Sequence, residues 1–138
     1  MRKVKLFLVH PTTICILFCS LLISGQSFGG LYIFMLMMGL PHGVLHALLG
    51  TGGIILMIAS LYLKQSSVVA IIRLAASVCF ILSLIRFFIQ PGGSYNYPTF
   101  QQFVPLSLLI IFSLSLLLFI LKQLQTLGVK KDKSVSAK

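Results

Sequence analysis

The sequence predicts an all-α integral membrane protein: four transmembrane helices in an antiparallel bundle, with a kinked or re-entrant extra segment before the second helix. Three observations predict it. Hydrophobic residues make up 58% of the 138 positions and charged residues only 9%, with a mean hydropathy of +1.08, whereas about a quarter of a water-soluble domain is charged. Apolar runs long enough to cross a ~30 Å hydrocarbon core recur along the chain. Eleven Lys and Arg stand against a single acid, Asp132, and most of them cluster at the ends of those runs. The length suits about four spans in one membrane domain, 1–138, and leaves no room for a soluble catalytic domain.

The first run, 6–23, follows Arg2, Lys3 and Lys5 and ends in the small polar stretch Ser24-Gly25-Gln26-Ser27. It imitates a secretory signal peptide with a small-x-small site at Ser27-Phe28-Gly29. Its apolar region exceeds the usual 7–15 residues or so and contains His10-Pro11, so it reads as a retained first span. The second run, Gly30 to Leu63, has no formal charge with its histidines neutral. As one helix it would be about 50 Å long, well over a bilayer core. Gly39-Leu40-Pro41-His42-Gly43 interrupts it, since Pro removes a backbone donor and Gly loosens the chain. The span is therefore 44–63, preceded by an apolar half-helix over 31–40 that lacks a polar face. A half-helix of that kind reads as re-entrant or protein-buried; the rival is one long kinked helix.

The third run, 68–89, contains Arg73 and Arg86. An uncharged loop follows, whose Tyr95, Tyr97 and Phe100 suit an interfacial aromatic belt. The fourth run, 104–121, has Pro105 where a helix start tolerates it. The basic tail, 123–138, reads as frayed or disordered. All flanking Lys and Arg lie at the N-terminus, at Lys64 and in the tail. The stretch 24–30 and the loop 90–103 carry none. By the positive-inside rule, four spans then place both termini in the cytoplasm, as in a bacterial inner membrane facing anionic headgroups. A basic charge set out this way does not point to nucleic acid, for there is no soluble surface to carry it.

His42 and His46 are spaced i,i+4, within about 40° on one helical face, as two ligands to one metal ion would be. The intervening Gly43-Val44-Leu45 lacks the glutamate of a metalloprotease helix. A haem could take either histidine as an axial ligand, but His10 is the only other histidine and lies near the opposite end of its span. Gly39-Leu40-Pro41-His42-Gly43 resembles the Gly-x-Pro-His-Gly signature of the Brp/Blh family of membrane-embedded carotenoid-cleaving dioxygenases, which implies histidine-bound iron. The resemblance covers five residues. That family places an Asp where this chain has His46, and its further histidines on other helices have no counterpart here, so no activity is carried over. No cofactor is assigned.

An intramembrane Arg costs at least about 2.5 kcal/mol at the centre of a span and marks function or a partner. Arg73 and Arg86 are each close enough to a span end to snorkel. They lie about 20 Å apart along the helix, too far to clamp one small anion. Gly39 and Gly43, continued by Ala47 and Gly50, form a small-residue strip that lets another helix approach. Cys15, Cys19 and Cys79 fall within apolar runs at no CxxC spacing and read as packing residues.

Three functional readings follow. The first is a non-catalytic accessory or assembly subunit of a larger membrane complex, whose partner is another membrane protein or a second copy and whose contacts are Arg73, Arg86, Gly39, Gly43, Ala47 and Gly50. The second is a haem- or metal-binding redox protein using His42 and His46. The third is a small oligomeric carrier or channel lined by the broken second segment.

Overall fold

In the computed structural model, residues 9–25, 29–90 and 93–135 are described, with side chains described to 128 and not over 93–95. The basic N-terminus, the start of the first run, most of the Ser27-Phe28-Gly29 site and the side chains of Tyr95, Lys130, Lys131 and Lys133 lie outside them. The elements in order are α1 (Pro11–Cys19), β1 (Leu22–Ile23), β2 (Gly30–Leu31), α2 (Tyr32–Gly39), α3 (Leu45–Tyr62), α4 (Ser67–Ile89), a 3₁₀ helix (Gly93–Phe100) and α5 (Phe103–Val135).

Three helices are long and apolar enough to cross a bilayer: α3, α4, and α5 over Phe103–Gly128. The expected span over 6–23 is not one continuous helix. Its helix starts where His10 Nδ1 accepts from the Thr12 amide at 3.3 Å, with Pro11 in the first turn. It stops at Cys19, and the chain then extends. Leu22 pairs with Leu31 and Ile23 with Gly30 in an antiparallel ribbon, and the Tyr32 amide donates to the Leu21 carbonyl at 2.7 Å. The polar, glycine-containing stretch that follows Ile23 cannot supply an apolar helical face, so the backbone donors of this segment are satisfied across strands instead.

The second run is broken, and the single long helix is overturned. Gly43 has φ +64, a left-handed conformation that glycine adopts without a Cβ clash. Pro41 has no amide to donate, while the Gly43 and Val44 amides turn back to the Leu40 and Gly39 carbonyls, each at 3.1 Å. From Leu36 to Gly39 along α2, the close neighbours on α3 run back from Gly50 to Ala47. The two helices therefore run in opposite senses.

The helix pair α3–α4 is the spine. Ser60 meets Arg73, Gly53 meets Phe80, Gly50 meets Ser83 and His46 meets Gln90, a falling register against a rising one, hence antiparallel. Ser66 caps α4 by accepting from the Val69 amide at 3.3 Å. Phe18 of α1 stacks on Phe80 with centroids 4.2 Å apart and touches Phe112 of α5 at 5.6 Å and Tyr32 of α2 edge-on at 5.2 Å. One aromatic layer thus joins four helices. Thr99 of the 3₁₀ helix pins the extended segment, its Oγ1 accepting from the Ser24 amide at 2.9 Å and donating to the Ser24 carbonyl at 3.2 Å. The backbone of the tail, expected to fray, continues as helix to Val135.

Candidate functional site

Polar side chains collect at the two ends of the α3–α4 interface. At the α3 C-terminus, Arg73 is 7% exposed. Its Nε donates to Ser60 Oγ at 3.1 Å and its Nη2 to the Ser60 carbonyl at 3.4 Å. With the Gln65 carbonyl oxygen turned toward the guanidinium, that oxygen accepts from Nη2 at 3.1 Å and Nη1 at 3.2 Å. Ser60 Oγ in turn donates to the Met57 carbonyl at 2.7 Å. The Ser60 carbonyl is one of the last four of α3, which have no partner within their own helix. The side chains of a helix lean toward its N-terminus, so a residue two turns into α4 reaches back to the neighbouring helix end. No carboxylate meets Arg73 among the described residues. What faces its charge is the partial negative charge of a helix C-terminus.

At the opposite end, His46 is 5% exposed. Its Nδ1 lies 3.2 Å from Gln90 Oε1, and its ring meets Phe87 edge-on at 5.0 Å. Nε2 is buried with no hydrogen-bond partner and lies 3.4 Å from the point where a Cβ on Gly39 would stand. It faces the backbone of α2 at Gly39. Beside it, Tyr32 Oη and Ser83 Oγ are 2.9 Å apart, and Ser83 Oγ donates to the His46 carbonyl at 2.7 Å. Three helices, α2, α3 and α4, are cross-linked at this point.

Between the two clusters the helices pack closely. Gly53 lets Phe80 approach so closely that a Cβ would lie 2.8 Å from two of its ring carbons.

The histidine pair is not brought onto one helical face. His42 is exposed in the turn before α3 and His46 is buried within the helix, because the left-handed Gly43 separates them. Among the described residues no cluster of three or more His, Cys, Asp or Glu could hold a metal ion. The small-residue strip is split by the same turn. Gly39 packs on Ala47, where a Cβ would come within 2.9 Å of the Ala47 Cβ, and Gly50 packs between Leu36 and Ser83. These three close the chain on itself, while Gly43 has open space around it.

Arg86 is exposed on α4, in the last turn of the helix, where the helix dipole favours a cation. Sequence reasoning missed Ser60, Gln65, Tyr32, Ser83 and Gln90 as partners. The available signal was their polarity at or beside apolar runs, but each partnership joins residues from different helices. No family model, curated protein or solved structure matches this chain.

Proposed function

We propose that the chain is a small non-catalytic multi-pass membrane protein that works as an accessory or assembly subunit of a larger membrane complex. It crosses the bilayer four times, with the run 6–23 as the first crossing and α2 as a re-entrant half-helix. Both termini face the cytoplasm of a bacterial inner membrane. The alternation of charge supports this orientation: Lys64 and Arg73 mark one end of α3–α4, and the loop 90–103 at the other end is uncharged.

The observation that carries the reading is the use of His46 and Arg73. The buried His46 and Arg73 bond neutral groups between helices, and a groove that opens outward is lined mainly by apolar side chains such as Ile81, Ile85, Leu116 and Ile120. A helix surface of that kind meets either lipid or another membrane protein.

Purification of the tagged full chain in mild detergent tests the proposal. Co-purification of a membrane protein at fixed stoichiometry is expected. Recovery solely as a free monomer from cells at native expression level overturns it.

A further inference from the structure

A pocket of about 470 Å³ opens where α4 meets the 3₁₀ helix, lined by Phe88, Ile89, Tyr97, Phe100 and Gln101. Three of its five lining residues are aromatic. Phe88 and Phe100 have centroids 4.8 Å apart, and Tyr97 stands at 61° to Phe100 at 6.2 Å. Tyr97 is 49% and Phe100 43% exposed, so the rings are not consumed by the core. A ring attracts a cation lying within about 6 Å of its centroid, and several rings around one pocket suit a quaternary ammonium.

Arg86 is one helical turn before Ile89, a lining residue of this pocket. It stands three residues before Ile89, hence on the same flank of α4 and about 4.5 Å nearer the middle of the helix. It is exposed among the exposed apolar residues Leu82, Ile85 and Ile89, and the chain's single acid, Asp132, is far along the sequence. A cation nearer the hydrocarbon with an aromatic pocket outside it mirrors the order of charges in a zwitterionic phospholipid. There the phosphate lies nearer the tails and the ammonium faces outward.

We infer that Arg86 and the Phe88–Tyr97–Phe100 pocket form a binding site for the headgroup of a zwitterionic phospholipid, with the phosphate on Arg86 and the quaternary ammonium against the rings. The inference goes beyond the subunit reading and does not depend on it, because the lipid binds the isolated chain.

Native mass spectrometry of the full chain, purified in mild detergent and offered phosphatidylcholine or phosphatidylglycerol with the same tails, tests it. The two lipids share the phosphate and differ in the ammonium. The wild type is expected to retain phosphatidylcholine about fivefold better, in keeping with one or two exposed cation–π contacts. Tyr97→Leu and Phe100→Leu are expected to abolish the preference, Tyr97→Phe and Phe100→Tyr to keep it, and Arg86→Gln to lower retention of both lipids. Equal retention by the wild type, or a preference that survives both leucine variants, overturns the site and leaves an interfacial aromatic belt only.

Discussion

The guanidinium of Arg73 closes the end of a neighbouring helix: it donates to both the hydroxyl and the carbonyl of Ser60, thirteen residues earlier and across the α3–α4 turn. An arginine within an apolar run is thereby explained without a carboxylate. Its charge faces a helix C-terminus, and its fork spans Ser60 and Gln65. Removing it leaves the Ser60 carbonyl buried and unpaired. Arg73→Ala is expected to destabilise the fold by about 1–3 kcal/mol, measured as thermal unfolding in detergent. Arg73→Lys is expected to recover less than half, because a point charge cannot bridge both partners. A lysine variant as stable as the wild type would show that charge alone matters here.

Adjacent glycines of α3 are expected to respond with opposite signs. At Gly53 a Cβ would meet Phe80 at 2.8 Å and the Ala76 carbonyl at 3.2 Å, and Phe80 is held from behind by Phe18. Gly53→Ala should cost about 1–3 kcal/mol through overpacking. At Gly52 nothing lies within 4 Å, so Gly52→Ala should be neutral or stabilising by up to about 1 kcal/mol from helix propensity. Parallel melting curves of the two variants decide it.

The turn between α2 and α3 depends on backbone conformation and not on space. Gly43 has open surroundings and φ +64. Gly43→Ala is expected to cost about 1–2 kcal/mol, and Gly43→Asn clearly less. Hydrogen exchange of the Gly43 and Val44 amides, which close this turn, should quicken in the alanine variant before exchange in α4 changes.

Tyr32, Ser83 and His46 act as one cross-link, so their losses should not add. Hydrogen bonds between membrane helices average about 0.6 kcal/mol each. Tyr32→Phe is expected near that value, Ser83→Ala above it, and the double variant below the sum. Strict additivity in a double-mutant cycle would mean that the hydroxyls are not coupled.

The purified protein is expected to show neither a Soret band nor stoichiometric metal. Nε2 of His46 faces the packed backbone of α2, and His42 lies outside α3 in the exposed turn. An absorption spectrum and elemental analysis check this. A Soret band lost in His46→Gln would support the redox reading instead.

Much of this was legible in the residues. Gly39-Leu40-Pro41-His42-Gly43 announced a break, and the structure breaks there, with α3 and α4 within one residue of their expected limits. The position of Arg73 in its run places it close enough to the span end to snorkel, whereas it is buried against Ser60 and Gln65. The extended segment after Cys19 was not legible: its strand pairing joins Leu22 to Leu31 through a turn that carries no alternating pattern. The small-residue strip does let another helix approach, and that helix belongs to the same chain. Gly39, Ala47 and Gly50 were counted along one helix, whereas the left-handed Gly43 turns Gly39 back onto Ala47, and Gly50 packs against Leu36 and Ser83. The polar partners of His46 and Arg73 were hidden because apolar periodicity says which face is buried, not which helix covers it.

The Phe80–Gly53 contact has a consequence for charge movement. Proton relays need donors and acceptors in unbroken succession, and here the succession has two separate pieces. Ser83 hands its hydrogen bond to the His46 carbonyl, and Ser77 hands its own to the Arg73 carbonyl at 2.8 Å. Among the described residues no hydrogen bond connects the pieces across Phe80. The polar contacts at the two ends of the α3–α4 seam are therefore held apart by the packed Phe80–Gly53 contact.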